Sequence, residues 1–316
     1  MIVTVTLNPA LDKTAAVDVM RPNALNRLRD ITVDAGGKGV NVSDMIKALG
    51  GRTLAAGFAG GYVGDELLAR ITERGIEHDF VRIKAMTRIN LKVMDAGGRL
   101  TELNEPGPVI LSEEWEALEK KLSSLAAPEN IFVLSGSLPR GIPADTYQRL
   151  CVALRSAGAR VFVDADGEAL RLALEAPPDY IKPNRYELLQ YFGVENEGGE
   201  CAGDRIDAYL TGLLRRLLDR GVSLAALSLG PEGALFVSPE AAWRAGALAV
   251  PVRSTVGAGD CMVGALAFGI EQGFPLERCL ALSLAASAGA VAADGTQAPS
   301  ASVVEELVKD VHLRRL

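Results

Sequence analysis

Short apolar runs alternate with longer amphipathic stretches through the second part of the chain, after a breaker at residues 106–108. Residues 131–134, 161–163 and 224–229 are such runs. Buried strands that alternate with amphipathic helices are typical of parallel strands joined by crossover helices. The pattern therefore predicts an α/β fold, a three-layer α/β/α sandwich around a mostly parallel central sheet.

The first part of the chain shows shorter segments in which apolar and polar residues alternate. Residues 15–19 and 31–33 alternate in this way, and residues 87–104 do so around the turn at Gly97 and Gly98. Such segments are typical of a small, partly exposed sheet with a hairpin. We expect lid strands from about 10–34 and 87–107 on a single domain that spans residues 1–316, a length that suits one large domain.

The acidic charge balance argues against polyanionic partners. The chain carries 33 basic and 40 acidic residues and a net charge of −7. It therefore lacks an overall basic field that would attract nucleic acid or an anionic bilayer, and we expect neither as a partner. Local arginines, lysines and backbone N–H groups can still bind a small phosphorylated ligand.

Cysteine and histidine are scarce, which excludes several kinds of site. The four cysteines form no C-x-x-C pair, and there are only two histidines. This pattern fits neither a zinc cluster, nor a disulfide-rich secreted domain, nor a histidine-based triad. The start of the chain also lacks the features of a signal peptide, so we expect a reducing cytoplasmic location.

A glycine turn at residues 254–260 (Ser-Thr-Val-Gly-Ala-Gly-Asp) is the strongest chemical feature. It follows a strand-like segment, 248–252, and precedes a helical pattern over 261–272. Backbone N–H groups that converge at a helix N-terminus can hold an anion, and Asp260 could accept a proton from an attacking hydroxyl. Alternatively, Asp260 only complements the helix dipole and the glycines only make a turn. The spacing excludes a dinucleotide fingerprint, which needs glycine at Met262, and a P-loop, which needs Lys followed by Ser or Thr.

A second glycine turn, residues 36–41, opens a helix predicted over 38–49. Lys38 and Asn41 could bond the oxygens of a small polar ligand there, or the segment could be a plain loop-to-helix junction. Asp12 could bind sugar hydroxyls through its carboxylate, or it could simply form a turn. Arginines that converge from separate segments could form a fork around a phosphate, although each could equally be a surface charge; the candidates are Arg27, Arg29, Arg88 and Arg140.

Two further segments could serve a nucleotide. Lys182 and Asn184 follow a short strand, and Glu187 lies one turn into the next helix. Glu187 could hold a Mg²⁺-bound water or could stabilise the helix dipole. Residues 228–233 end a core strand with glycines, which suits either a nucleotide at the strand's carboxyl end or an ordinary hairpin.

Together and in this order, these segments resemble the ribokinase-like (PfkB-type) carbohydrate kinases over residues 6 to about 295. The resemblance rests on residues 37–41 (Gly-Lys-Gly-Val-Asn) and 255–260 (Thr-Val-Gly-Ala-Gly-Asp). Residues 6–12, 25–27 and 87–90 resemble the phosphosugar branch of that family in particular.

The resemblance implies a role for each matching residue. Asp260 would be the general base, and Gly257, Ala258 and Gly259 would form the anion hole. The sugar and its phosphate would be bound by Asp12, Arg27, Gly37, Lys38, Asn41, Arg88, Asn90 and Ser137. ATP would be bound by Lys182, Asn184, Ser228, Leu229, Gly230, Pro231, Glu232 and Gly233, with Glu187 near Mg²⁺. Carbonyl groups near Ser254 and Val256 would hold K⁺.

The expected reaction is transfer of the ATP γ-phosphoryl group to fructose 1-phosphate. Fructose 6-phosphate and tagatose 6-phosphate are the alternative acceptors within the family, and a regulator that binds sugar phosphate without catalysis is the alternative of another class. Exposed edges of the lid strands favour pairing with a second subunit, so we also expect a homodimer through the lid.

Overall fold

Two β-sheets organise the part of the chain that the computed structural model describes, residues 1–194, 204–293, 295 and 297–316. Up to residue 104 the elements are β1 (Ile2–Thr6), β2 (Ala10–Val17), β3 (Arg29–Gly36), α1 (Lys38–Ala48), β4 (Thr53–Gly60), α2 (Gly61–Glu73), β5 (Glu77–His78), β6 (Val81–Ile83), β7 (Arg88–Asp95) and β8 (Leu100–Asn104). The next elements are α3 (Ser112–Leu125), β9 (Ile131–Ser135), α4 (Thr146–Ser156), β10 (Arg160–Asp164), α5 (Gly167–Ala173), β11 (Tyr180–Ile181) and α6 (Arg185–Tyr191). The last are α7 (Asp204–Leu218), β12 (Leu224–Ser228), β13 (Ala234–Val237), β14 (Ala242–Ala245), α8 (Ala258–Glu271), α9 (Leu276–Val291), α10 (Ala301–Val308) and β15 (Leu313–Arg315).

The larger sheet is parallel except at one end. Within the described residues its order is β15-β14-β13-β12-β11-β10-β9-β1-β4-β5, with β6 beside β4. The pairs β12–β13, β13–β14 and β14–β15 are antiparallel, and the other pairs, including β11–β12, are parallel. This arrangement confirms the predicted mostly parallel central sheet.

Helices cover both faces of that sheet because successive side chains of each strand point to opposite sides. Phe132 and Leu134 of β9 belong to the same buried cluster as Trp115 and Leu150, on α3 and α4. Ile131 and Val133, the alternate residues, pack in a second cluster with residues of α1, α8 and α9. The continuous apolar run of β9 is thus buried on both faces, as expected for a strand inside a three-layer sandwich.

The smaller sheet consists of four strands in the order β3-β2-β7-β8. Strand β2 runs antiparallel to β3 and parallel to β7, and β7 and β8 form the hairpin that the alternating pattern predicted. The sheet joins the larger one through α1, which begins directly after β3. Strands β2, β7 and β8 lie within the ranges that we expected for lid strands, and β3 extends two residues beyond the first range, to Gly36.

One predicted strand is wrong. Residues 248–252 are irregular, and the strand that precedes the glycine turn is β14, which ends at Ala245. Pro251 has no N–H to donate and Val252 is 73% exposed, so this segment has neither the hydrogen bonds nor the buried face of a strand. The predicted helices at 38–49 and 261–272 correspond to α1 and α8, although α8 begins three residues earlier, at Ala258.

Within the described ranges, no helix combines the length and the apolar character needed to cross a bilayer.

Candidate active site

Polar side chains collect where five neighbouring parallel strands end. Asn8 follows β1, Ser137 follows β9, Asp164 is the last residue of β10, Lys182 follows β11 and Ser228 is the last residue of β12. The carboxyl ends of parallel strands meet at one edge of a sheet, where ligands of open α/β folds bind. The topology therefore brings these five residues, which lie far apart in sequence, to one edge.

The glycine turn reaches this edge as the start of α8. Gly257 is the N-cap and adopts a left-handed conformation, with φ of 83°, that a residue with a Cβ rarely takes. The first N–H groups of the helix have no intrahelical acceptor and can bind an anion. Asp260 lies in this first turn, is only 7% exposed, and accepts a hydrogen bond of 2.7 Å from Asn41 Nδ2 on α1.

The environment of Asp260 adjusts its proton affinity. Burial, together with the negative charge of Asp164, raises the pKa of Asp260 from 3.8 to about 6. The bond from Asn41 and the charges of Lys38 and Lys182 oppose that rise. The carboxylate is therefore ionised at neutral pH, yet it is a stronger base than an exposed aspartate.

Asp164 holds two lysines of the site together. Its Oδ1 lies 3.3 Å from Lys38 Nζ and 3.5 Å from Lys182 Nζ. Burial favours a raised pKa for Asp164, but the two lysines hold that pKa below its usual value, and Asp164 in turn raises the pKa of Lys38. Lys182 also lies against the glycine turn, because a Cβ on Gly259 would be 3.1 Å from its Nζ.

Asp12 is the centre of a second cluster, on the smaller sheet. Its two oxygens accept bonds of 2.9 Å from Asn90 Nδ2 and Lys92 Nζ, both on β7. A Cβ on Gly36 of β3 would lie 2.5 Å from Asp12 Cγ, so only glycine leaves room for the carboxylate in this position. The cluster stands immediately before α1, and Gly37 is the N-cap of that helix with φ of 118°.

Arg88 and Ser137 meet through Asn8. Arg88 donates to the carbonyl of Asn8 at 3.0 and 3.2 Å and to that of Glu105 at 3.0 Å. Asn8 Nδ2 donates to Ser137 Oγ at 3.2 Å. The start of β7 and the loop after β9 are therefore linked across the carboxyl end of β1.

Arg27 is not joined to this network by any hydrogen bond or ion pair among the described residues. It is exposed and lies in the loop between β2 and β3. The structure brings together the other residues that we expected to bind the sugar and its phosphate. Arg27 of the same chain forms no hydrogen bond or ion pair with these described residues.

The candidate nucleotide residues surround β11 and β12. Asn184 is the N-cap of α6 and forms a capping box with Glu187, with two reciprocal bonds of 2.8 Å. Asn184 also forms a β-bridge with Ser228. Residues 229–233 form a tight turn, a 3-10 helix over Gly230–Glu232, and Glu232 pairs with Arg185 at 2.8 Å. Burial raises the pKa of Glu187.

Asp164 and Lys92 are site residues that the sequence reasoning missed. Asp164 follows three apolar residues at the end of β10, and a carboxylate at that position of a buried parallel strand is a signal that could have found it. Lys92 offers less signal, because a lysine in an alternating strand is usually solvent-exposed. Only the pairing of β2 with β7 brings it to Asp12.

A buried carboxylate lies beside a helix N-terminus, two lysines are held at the same edge of the large sheet, and a polar cluster lies on the small sheet. This arrangement suits the transfer of a phosphoryl group to a hydroxyl. Residues 5–302 match the family described as pfkB family carbohydrate kinase, and the chain belongs to that family. This membership confirms the predicted family and the predicted enzyme class, a phosphotransferase with an alcohol acceptor.

Individual relatives are similar over the whole chain. The 1-phosphofructokinase of Bacillus subtilis is 34% identical over 316 residues, which cover 100% of both chains. The structure of phosphofructokinase-2 from Escherichia coli in complex with potassium has a TM-score of 0.90 at 30% identity and covers 98% of each chain. A ribokinase from Thermotoga maritima shares the fold, with a TM-score of 0.78 at 21% identity over 98% of this chain and 99% of its own. The predicted ribokinase-like fold is thereby confirmed.

Proposed function

We propose that this protein transfers the γ-phosphoryl group of ATP to the primary hydroxyl of fructose 1-phosphate, giving fructose 1,6-bisphosphate and ADP. The observation that carries the proposal is Asp260, a buried carboxylate with a raised pKa in the first turn of a glycine-built helix start. The similarity over the full length to a 1-phosphofructokinase supports the choice of acceptor.

Asp260 is the general base. It accepts the proton of the sugar hydroxyl as that oxygen bonds to the γ-phosphorus, and the bond between phosphorus and the bridging oxygen of ADP breaks. Asn41 orients the carboxylate through its 2.7 Å bond. The N–H groups of Gly257, Ala258 and Gly259 stabilise the charge on the transferring group, where fixed donors act most effectively.

The sugar lies between the two sheets in this proposal. Asp12 binds its hydroxyls, because a carboxylate fixed by Asn90 and Lys92 is a strong acceptor. Gly37, Lys38 and Asn41 contact it from the start of α1, and Arg27, Arg88 and Ser137 serve its phosphate. The small sheet closes over the sugar and excludes water, which would otherwise compete as an acceptor.

ATP binds along β11 and β12 in this proposal. Lys182 and Asn184 contact its phosphates, and Ser228, Leu229, Gly230, Pro231, Glu232 and Gly233 form the turn beside the nucleotide. Lys182 suits this role because it lies against Gly259, at the proposed position of the transferring group. The loop that precedes the glycine turn is tied to α9 through two bonds from residues 253 and 254 to the carbonyl of Val291. Such a fixed loop suits K⁺ binding by carbonyls near Ser254 and Val256.

The carboxylates near this site fit a hydrated Mg²⁺ ion. Asp164 Oδ2 is buried and has no hydrogen-bond partner among the described residues, and Glu187 bonds to the backbone of Asn184 through only one oxygen. Mg²⁺ usually keeps several water ligands and is bound through one or two carboxylates together with substrate phosphates. When bound, Mg²⁺ would neutralise negative charge on the ATP phosphates.

The chain is proposed to act as a cytoplasmic homodimer that pairs through its small sheet. The cysteines that the structure describes, Cys151, Cys261 and Cys279, are free and buried, which suits a reducing compartment. The edge strands of the small sheet, β3 and β8, carry exposed apolar side chains, including Ile31 and Leu103.

Release of ADP with a panel of phosphosugars tests the proposal. We expect the highest kcat/KM with fructose 1-phosphate, and lower values with fructose 6-phosphate and tagatose 6-phosphate. Asp260→Asn should lower kcat by about 10²–10⁴-fold, because the amide cannot accept the proton. The matched control, Asp219→Asn, changes an exposed residue at the end of α7 and should leave kcat unchanged.

Three outcomes would contradict the proposal. Preference for another phosphosugar would move the acceptor assignment to a different branch of the family. Binding of phosphosugar without any ADP release would favour a regulator that does no chemistry. Full turnover by Asp260→Asn would show that Asp260 is not the general base.

A further inference from the structure

A cavity of about 400 Å³ opens at the junction of the two sheets. It is lined by Ala85, Met86, Arg88, Glu105, Pro106, Gly107, Pro108, Val109 and Arg140. The cavity thus contains two arginines, one from the start of β7 and one from the loop after β9. A phosphate group fits readily within this volume.

The position of Arg140 is fixed by its backbone. Its N–H donates to Pro108 O at 3.2 Å, its carbonyl accepts from Ile110 N at 2.9 Å, and it forms a β-bridge with Val109. Gly141 follows with φ of 87°, and a Cβ there would lie 2.5 Å from Ile110 O. The loop that carries both Ser137 and Arg140 is therefore held firmly against residues 108–110.

The side chain of Arg140 keeps its outer donors available. Its Nε donates to Gly107 O at 3.1 Å, and its two terminal nitrogens bond to no acceptor among the described residues. Arg88 uses three of its five donors on the carbonyls of Asn8 and Glu105. Both guanidinium groups can therefore still donate to a ligand.

The charge of the cavity favours an anion. Glu105 is its one acidic lining residue, against two arginines, and one oxygen of that carboxylate accepts from Ile89 N at 2.9 Å. Two guanidinium groups from separate segments are well suited to a phosphate with two negative charges.

The cavity also shares its inner wall with the proposed sugar site. A Cβ on Gly107 would lie 2.2 Å from Asn8 Oδ1, so Gly107 packs directly on Asn8. Asn8 in turn bonds to Ser137. The side chain of Arg140 is therefore linked to Ser137 by three successive contacts, through Gly107 and Asn8.

We infer that Arg140 binds the phosphate of the sugar substrate together with Arg88, and that it favours phosphosugars over unphosphorylated sugars. The inference rests on the proposed function, because it assumes a phosphosugar in the site. It adds a binding residue on the loop after β9, with its charge directed at the phosphate end of the substrate.

Arg140→Gln tests the inference, because glutamine can still donate to Gly107 O but carries no charge. We expect the KM for fructose 1-phosphate to rise about 10–100-fold, the effect of losing a charge-assisted hydrogen bond, while kcat and the KM for ATP stay within about twofold. Arg140→Lys restores the charge and should give an intermediate KM. The matched control is Arg149→Gln, which changes an exposed arginine on α4 that pairs with Glu119 at 3.5 Å.

The pH dependence of KM separates this role from a structural one. A phosphate monoester gains its second negative charge near pH 6, so the wild-type KM should rise as the pH falls below that value. This rise should be shallower in Arg140→Gln. An unchanged KM for the phosphosugar, or an equal rise in the KM for ATP, overturns the inference while leaving the proposed function intact. Failure of the wild-type enzyme to phosphorylate any phosphosugar overturns both.

Discussion

Two buried carboxylates with opposite pKa shifts control the charge of the site. Asp260 and Asp164 share the same two lysines, but Asp164 is paired with them at 3.3 and 3.5 Å, whereas the nearest bond to Asp260 comes from the neutral Asn41. Asp164 is therefore held ionised and Asp260 is made more basic. This division is typical of sites where one carboxylate positions cations and another accepts a proton.

Asp164→Asn tests this coupling through the pH dependence of kcat. Because Asp260 has a pKa of about 6, kcat of the wild-type enzyme should fall as the pH falls through 6. The negative charge of Asp164 contributes to that raised pKa, so its removal should move the acid limb of the profile to lower pH. The KM for ATP should rise about tenfold, since Lys182 loses a buried ionic partner.

The control for this experiment is Asp166→Asn, at the exposed N-cap of α5. It should leave both the acid limb and the KM for ATP unchanged. An acid limb that stays in place in Asp164→Asn, in a variant that still unfolds cooperatively, would refute the electrostatic coupling.

Sequence reasoning reaches single residues only where a local motif marks them. Asp260 follows three small residues at a helix start, a pattern that can be recognised within one segment. Asp164 has no such motif, and its pairing with Lys38 spans 126 positions of the sequence. Its role depends on strand order, which local patterns do not specify.

At the scale of elements, the contact between β3 and β2 fixes Asp12. Asp12 and Asp34 are directly opposite in the register, and Gly36 stands beside the carboxylate of Asp12. Strand β3 leads into α1, which carries Lys38 and Asn41. One short turn therefore connects the small sheet to the helix that orients Asp260.

Gly36→Ala should displace Asp12, because the added Cβ would lie 2.5 Å from its Cγ. We expect the KM for fructose 1-phosphate to rise about tenfold or more, the effect of weakening a charge-assisted hydrogen bond, with the KM for ATP within twofold. Steady-state kinetics with each substrate varied in turn measures both values.

Gly246→Ala is the matched control, since a Cβ there meets no atom within 4 Å. It should behave as the wild type. If Gly36→Ala binds the sugar phosphate normally, Asp12 does not contact that substrate.

Most elements could be predicted from the sequence, but the end of the large sheet could not. The continuous apolar run of β9 and the alternation of β7 and β8 each match a strand environment that is visible locally. Strand β15 has only three residues, two of them arginines, and exists because it pairs with β14. Residues 248–252 show the opposite case: their apolar pattern predicted a strand, but no neighbouring strand pairs with them, and the prediction was wrong.

At the scale of the whole molecule, the exposed face and edges of the small sheet bear on assembly. Leu103 of β8 is 51% exposed and Ile31 of β3 is 49% exposed. Edge strands with exposed apolar side chains readily pair with another chain. The proposed occupant is the small sheet of a second copy, which would cover these side chains.

Leu103→Glu should weaken the dimer by about 30-fold or more, because burying an unpaired charge in the interface costs about 2 kcal/mol or more. Sedimentation velocity over a range of protein concentrations measures the change. Val303→Glu on α10, where the side chain is 45% exposed, is the control and should leave the dimer intact. Tens of micromolar lies well above the dissociation constant of a stable dimer. If the wild-type protein remains monomeric at that concentration, the proposed dimer is contradicted.

The bond between Asn41 and Asp260 joins residues 219 positions apart. During synthesis, α1 leaves the ribosome long before α8, and at about 5–20 residues per second the interval is of the order of ten seconds or more. Throughout that time the glycine turn and the base do not yet exist outside the ribosome. In the proposed mechanism, a nascent chain therefore cannot transfer phosphate from ATP until α8 has emerged, and a chain that terminates before α8 lacks the proposed base.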